Sequence, residues 1–298
     1  MAFTPRILAA LGAGWTALAG TMASAQAIGE LEIVGAPVDR GIGFQPAVTE
    51  LARDLQWLDG LILVIITAIT LFVTGLLVWC ILRYNKRANA VAARFSHNTP
   101  IEVTWTIVPI VILVFIGAFS LPVLFKQQEI PEPDLTIKAT GYQWYWGYEY
   151  PEQDLAFESY MIGYGSNEVT DEIRAELEAN GYTDAEFRLA TDTAVVVPVN
   201  KTVVIQVTGA DVIHAWAMPA FGVKQDGVPG RLAELWFKAE REGVYFGQCS
   251  ELCGKDHSYM PITVKVVSEE VWEAWLAEAA QLYSSAPRQP EVIQVAAN

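Results

Sequence analysis

Four residues able to hold a soft metal fall in one short stretch, CSELCGKDHSYM: Cys249, Cys253, His257 and Met260. The whole chain has only three cysteines and three histidines, so this is a concentration of donors. Their spacing is helical. On a helix, however, the first and last would stand about 16 Å apart along the axis, too far for one metal site. Gly247 and Gly254 flank the cysteines and strand-like segments adjoin on both sides, so a folded-back loop is expected. A Cys249–Cys253 disulfide is one fate in an oxidising compartment. Zinc could take two Cys and two His, but needs no Met. A thioether beside thiolates and imidazoles points to copper in an electron-transfer site.

A further strong donor lies upstream in ADVIHAWAMP, at His214. One His, then Cys, His and Met on a loop near the end of a β domain, is the blue-copper ligand order. Here the Cys is doubled. One copper would not use two thiolates, two imidazoles and a thioether. Two coppers could, with bridging thiolates, one imidazole each and weak axial donors. Bridging thiolates promote sharing of one electron, which lowers the rearrangement needed for transfer. The third cysteine, Cys80, reads as a small buried hydrophobe.

These donors need a scaffold, and the composition describes one. The 298 residues are 52% hydrophobic, yet the formal net charge is −15; mean hydropathy is +0.28. Apolar membrane segments beside a separate acidic domain reconcile the two. Residues 1–25 read as a signal peptide: Arg6, a modest apolar run, then Ala23-Ser24-Ala25. Residues 26–60 read as an external arm, with Trp57 as an interfacial anchor. Two uncharged stretches, 61–82 and 103–125, are long enough to span a bilayer; Pro109 and Pro122 are tolerable in the second. The loop 83–102 holds Arg83, Lys86, Arg87 and Arg94 and is expected to be cytoplasmic. Both ends of the mature chain then lie outside.

From Gln127 onward lie 27 Asp and Glu against 11 Lys and Arg. Such a surface suits solubility or a basic partner and disfavours nucleic acid. The domain, 126–283, reads as short strands with turns, an antiparallel sandwich or barrel. LTIKATGYQWYWGYEY, AVVVPVNKTVVIQVTGADVIHAW (two strands about a turn at Val199-Asn200-Lys201), RLAELWFKA, GVYFGQC and ITVKVVS carry strand character. Helices are expected at TDEIRAELEAN, ending at Gly181, and at SEEVWEAWLAEAAQLY, with Ser268 as cap. Residues 284–298 read as a flexible tail.

The signal, the two spans and the β domain, with DVIHAW, VKQDGVPGR and GQCSELCGKDHSYMPI, resemble subunit II of haem–copper cytochrome c oxidase in its bacterial form. The resemblance implies a two-helix hairpin carrying a cupredoxin-like Greek-key barrel. It implies a dinuclear copper A centre at His214, Cys249, Cys253, His257 and Met260, with the backbone carbonyl of Glu251 as remaining weak ligand. The Glu251 side chain would help bind magnesium at the border with subunit I. Trp144, expected to share a strand face with Trp146, resembles the surface tryptophan that takes the electron from cytochrome c. Glu149, Glu158, Asp192 and Asp211 resemble acids that dock the donor's lysines. Glu102 resembles the carboxylate at the mouth of a proton path into subunit I. The implied function is acceptance of electrons from cytochrome c and their passage to haem in subunit I, where oxygen is reduced to water with proton pumping. Partners would include subunits I and III. The implied location is the bacterial inner (plasma) membrane, with both termini periplasmic. The insertion around Thr170 to Asn180 lies outside the family pattern, and Tyr142 stands where some members have His.

Three other readings stay open on residues alone. A membrane-anchored copper chaperone or thiol reductase also carries Cys-x-x-x-Cys, on a βαβ fold. A quinol oxidase subunit would lack the thiolates. A structural zinc domain would not need Met260.

Overall fold

The computed structural model describes residues 28–283, apart from residues 29 and 92. The signal-peptide and tail segments lie outside the described residues. Two units are distinguished, one of them Arg53–Glu129.

That unit is built on two long helices, α1 (Glu50–Arg83) and α2 (Thr99–Gln128). At 1.5 Å per residue α1 is about 51 Å long, against a hydrocarbon core of about 30 Å, so its apolar part alone suffices to span. The segment read as an external arm therefore turns helical at Glu50. Hydropathy marks the apolar span but not the polar turns that lead into it. Asn98 caps α2 by accepting from the Ile101 N–H at 3.3 Å, and the helix runs on through Pro109 and Pro122. Within the unit Lys126 Nζ meets Asp54 Oδ2 at 2.6 Å, and Trp57 packs on Phe119 with centroids 5.8 Å apart. Cys80 is exposed on α1, contrary to the buried hydrophobe expected, because two helices alone cover little of each other's surface.

The other unit is a β domain. Its strands are β1 (Ile33–Gly35), β2 (Leu135–Tyr142), β3 (Tyr145–Tyr150), β4 (Leu155–Ser159), β5 (Val195–Pro198) and β6 (Thr202–Gly209). β7 (His214–Met218), β8 (Val223–Gly227), β9 (Ala233–Lys238), β10 (Gly243–Gln248) and β11 (Pro261–Val267) follow. They form a five-stranded sheet, β4-β3-β2-β6-β9, a four-stranded sheet, β1-β10-β11-β5, and the hairpin β7-β8. Both larger sheets feed one core, from Ile137, Trp146 and Tyr148 to Ile262 and Val264. Buried phenols and indoles find partners, as their polar atoms require: Trp216 Nε1 donates to Tyr148 Oη at 3.3 Å, and Tyr150 Oη donates to the Val196 carbonyl at 3.0 Å.

The strand expectations hold in outline. The turn at Val199-Asn200-Lys201 separates β5 from β6, with Asn200 at φ +61°, a conformation Asn tolerates. The pairing differs from the antiparallel expectation, since β1–β10, β2–β6 and β5–β11 are parallel. The long connections, including the insertion after β4, let strands distant in sequence lie side by side the same way round. β1, β4 and β8 were not read from the sequence, and the stretch read as two strands holds three, β7 being separate from β6; β1 is three residues long and β8, VKQDG, lacks apolar alternation.

Both expected helices form. Thr170 caps α3 (Asp171–Ala179), and Gly181 follows it at φ +83°. Ser268 Oγ accepts from the Val271 N–H at 3.3 Å at the start of α4 (Glu269–Tyr283), which buries Trp272, Trp275 and Ala279 on one face. The insertion has its own small core, Ile162, Leu177, Tyr182 and Ala190, packed on Val244 and Phe246 of β10.

Candidate metal centre

β10 and β11 pair antiparallel, with Gln248 opposite Pro261. The twelve residues between them must therefore leave and return at the same place. The loop they form contains only one helical turn, the 3₁₀ segment His257–Tyr259. It is the folded-back loop expected, and the extended helix is excluded. β7 delivers His214 to the same spot. Its ring lies over Gly141 of β2, where any Cβ would fall 2.6 Å from His214 Cγ. Only glycine leaves room for the imidazole there.

The donors meet in pairs. Cys249 Sγ and Cys253 Sγ are 3.9 Å apart, and both are free thiols. A disulfide needs about 2.05 Å, so none is formed. His214 Nδ1 faces Cys249 Sγ at 3.9 Å, while His257 Nδ1 faces Cys253 Sγ at 3.5 Å. The Glu251 carbonyl lies 3.4 Å from Cys249 Sγ, and Met260 Sδ 3.5 Å from Cys253 Sγ. The ligand atoms of His214, Cys249 and Cys253 all fall within 4.8 Å of one another. Each sulfur thus has a facing imidazole nitrogen and a facing weak donor. The donor set fits copper, as a soft thioether among thiols and imidazoles should. Among the described residues, no strand–helix–strand alternation of a thiol reductase surrounds it.

The electrostatics favour one anionic sulfur over the other. Burial works against ionising Cys249, but hydrogen bonds with His214, the Glu251 and Ala215 main chain and His257 together outweigh it and lower the thiol to about 7. Burial and then the Cys249 charge push Cys253 up to about 12. One sulfur thus ionises readily, and the second gives up its proton only against a neighbouring negative charge. His214 is raised from its ordinary value: burial opposes this, and the bonds to Cys249 and Asp211 override it.

Trp144 is not on a strand face with Trp146. Gln143 and Trp144 form the two-residue turn closing the β2–β3 hairpin, where Tyr142 pairs with Tyr145. Trp146 is fully buried in the core, whereas Trp144 is half-buried. The turn aims both of its side chains at the loop: Trp144 Nε1 donates to the Cys253 carbonyl at 3.2 Å and Gln143 Nε2 donates to the same oxygen at 2.8 Å.

Glu149 on β3 pairs with Lys138 at 2.7 Å. Glu158 on β4 accepts from Tyr160 Oη at 2.7 Å. Asp192 accepts from the Tyr160 N–H, and burial raises its carboxyl to about 6. Asp211 is tied inward, with Oδ1 2.9 Å from His214 Nε2 and Oδ2 accepting from the Gln143 N–H at 2.8 Å. Burial alone would raise Asp211; these bonds bring it below the usual carboxylate range. Glu102, in the other unit, accepts from the Asn98 N–H at 3.1 Å and closes the first turn of α2. Sequence reading missed Asp211 as a support of His214, although their three-residue spacing in DVIH was a usable signal. It also missed Gly141 and Gln143.

The profile described as "Cytochrome C oxidase subunit II, periplasmic domain" matches residues 135–267, and that of the subunit's transmembrane domain matches residues 37–123. Cytochrome c oxidase subunit 2 of Cereibacter sphaeroides is 62% identical over 286 residues, covering 93% of this chain and 94% of that one. The Arabidopsis thaliana subunit 2 is 41% identical over 244 residues, covering 79% and 88%. Among solved structures, the periplasmic domain of subunit II of cytochrome oxidase (CoxB) of Bradyrhizobium japonicum is 47% identical, covers 52% of this chain and 99% of that one, and has a TM-score of 0.43. With two apolar helices joined to a β domain that carries the paired donors, the chain belongs to the cytochrome c oxidase subunit II family, as a membrane-anchored, two-span subunit of a haem–copper oxidase.

Proposed function

We propose that this chain takes electrons from reduced cytochrome c at a dinuclear copper A centre and passes them to haem in subunit I, where oxygen is reduced to water with proton pumping. The observation that carries the reading is the convergence: two thiols lie 3.9 Å apart, each faced by an imidazole and a weak donor. Cys249 and Cys253 would supply the centre's thiolates, His214 and His257 its imidazoles, and Met260 and the Glu251 carbonyl its weak donors. When bound, a thiolate-bridged copper pair supplies a one-electron carrier that rearranges little on transfer. His214, both cysteines and Met260 are buried, so the chain keeps water from these four, while His257 and Glu251 are half-buried at the edge of the site.

Trp144 would receive the electron, its indole being one hydrogen bond from the main chain of Cys253. Glu149, Glu158, Asp192 and Asp211 would attract a basic donor. Asp192 is the weakest of these, because burial favours its neutral form. The Glu251 side chain would share magnesium with subunit I, and subunit III would complete the membrane partners. Glu102 would open a proton path from the cytoplasmic side, besides closing its helix. Both termini would be periplasmic, at the bacterial inner membrane.

The test is metal analysis with electron paramagnetic resonance on the full chain in detergent, loaded with copper. Two coppers per chain and hyperfine structure from one electron shared by both nuclei are expected. A single localised copper, or zinc held without a signal, would sink the reading.

A further inference from the structure

We propose that Tyr164 is a positioning residue for the metal loop: reaching out from the insertion between β4 and β5, it holds Asp256, which opens the turn that carries His257. This rests on the copper reading above and assigns a task to the insertion.

The insertion is a firm base. Its two ends are pinned where Met161 bridges Thr191 and the Ile162 N–H donates to the Ala190 carbonyl at 3.0 Å. Its core packs on β10, the strand that leads into Cys249. Tyr164 stands on a tight turn between Gly163 at φ +74° and Gly165 at φ +84°, conformations that a side chain would strain. A Cβ at Gly163 would also fall 2.7 Å from the Phe187 ring, so the turn is pressed against the insertion's own core.

From that turn Tyr164 Oη donates to Asp256 Oδ2 at 2.7 Å, and its ring meets Tyr259 edge-on with centroids 6.4 Å apart. Asp256 and Tyr259 bracket the single helical turn His257–Tyr259, and the Tyr259 N–H donates to the Asp256 carbonyl at 2.8 Å. One side chain thus touches both ends of the turn that presents His257. The same carboxylate oxygen lies 3.5 Å from Lys255 Nζ, and that ammonium sits 5.5 Å from the centroid of the Trp144 ring. Asp256 is therefore the point where the insertion, the metal loop and the Trp144 turn meet.

The experiment uses the full chain in detergent with three variants: Tyr164→Phe, Asp256→Ala and Asp256→Asn. Two rates are measured: alkylation of the thiols in the reduced, metal-free chain, and loss of bound copper to a chelator. Tyr164→Phe and Asp256→Ala are expected to speed both rates by about tenfold, the scale of a lost hydrogen bond to a charged group. Asp256→Asn still accepts from the phenol and is expected to stay close to the unsubstituted chain, a rescue that general destabilisation would not give. Unchanged rates in Tyr164→Phe and Asp256→Ala would overturn the proposal. If the unsubstituted chain binds no copper, the copper reading fails, while alkylation still decides the role of Tyr164. If Tyr164→Phe does not fold, Asp256→Ala against Asp256→Asn decides it.

Discussion

Asp211 and Glu149 show how two acids that look alike in a sequence part company in the structure. Glu149 is held by a surface lysine; Asp211 is bonded to the imidazole of His214, a candidate metal ligand, and to the turn that presents Trp144. Second-sphere partners of metal ligands typically matter by about 10–100-fold in affinity. Asp211→Ala is therefore expected to weaken copper binding by that order and to change the resonance spectrum. Glu149→Gln should leave both alone and slow only the association with a basic donor. Copper titration of the two variants checks this; equal behaviour would mean that Asp211 is an ordinary surface acid. The candidate donors that the structure brings together were legible because Cys and His are scarce in the chain and clustered in it. The supports were less so: Asp211 had only its three-residue spacing from His214 to mark it, and Gly141 and Gln143 are ordinary residue types whose meaning comes from segments far apart in sequence.

At the scale of elements, the same contrast runs between helices and strands. α3 and α4 could be read from caps and first-turn acids, which are local signals. β8 and the parallel β2–β6 pairing could not, since pairing partners are set by the whole sheet. β11 has an unexpected cost. Lys265 lies among seven buried positions, with its ammonium donating to the Asn180 carbonyl at 3.2 Å and lying 5.1 Å from the Tyr182 ring centroid. Burial lowers its pKa from 10.5 to about 8. The unfolded chain therefore binds this proton more tightly, and stability rises with pH between about 8 and 10.5. Below that window the buried charge costs its full amount. Lys265→Met should stabilise the domain by about 1–3 kcal/mol there, with the gain fading as pH approaches 10.5. Denaturant unfolding of the full chain in detergent across that range measures it. A gain that does not change with pH would show that the buried charge is not the cause.

For the whole molecule, charge and apolarity are divided as the composition suggested, with the two apolar helices in one unit and most of the acidic residues in the other. An acidic domain should steer a basic protein toward it, and that attraction is screened over about 8 Å at physiological ionic strength. The association rate with a basic cytochrome c is expected to fall several-fold between 50 mM and 500 mM salt, and stopped-flow mixing would show it. A rate indifferent to salt would remove the acidic face from donor recognition. The sheet topology has a consequence for how the chain acquires its shape. β2 cannot pair with β6 until the intervening insertion has been made, and β5 waits for β11, near the end of the domain. Pairings so remote form slowly. Cys249 and Cys253 are joined to their shelter by strands that come together late. For that interval the newborn chain carries both sulfurs uncovered, and the handling of those two thiols before the last strand docks is part of what this topology demands.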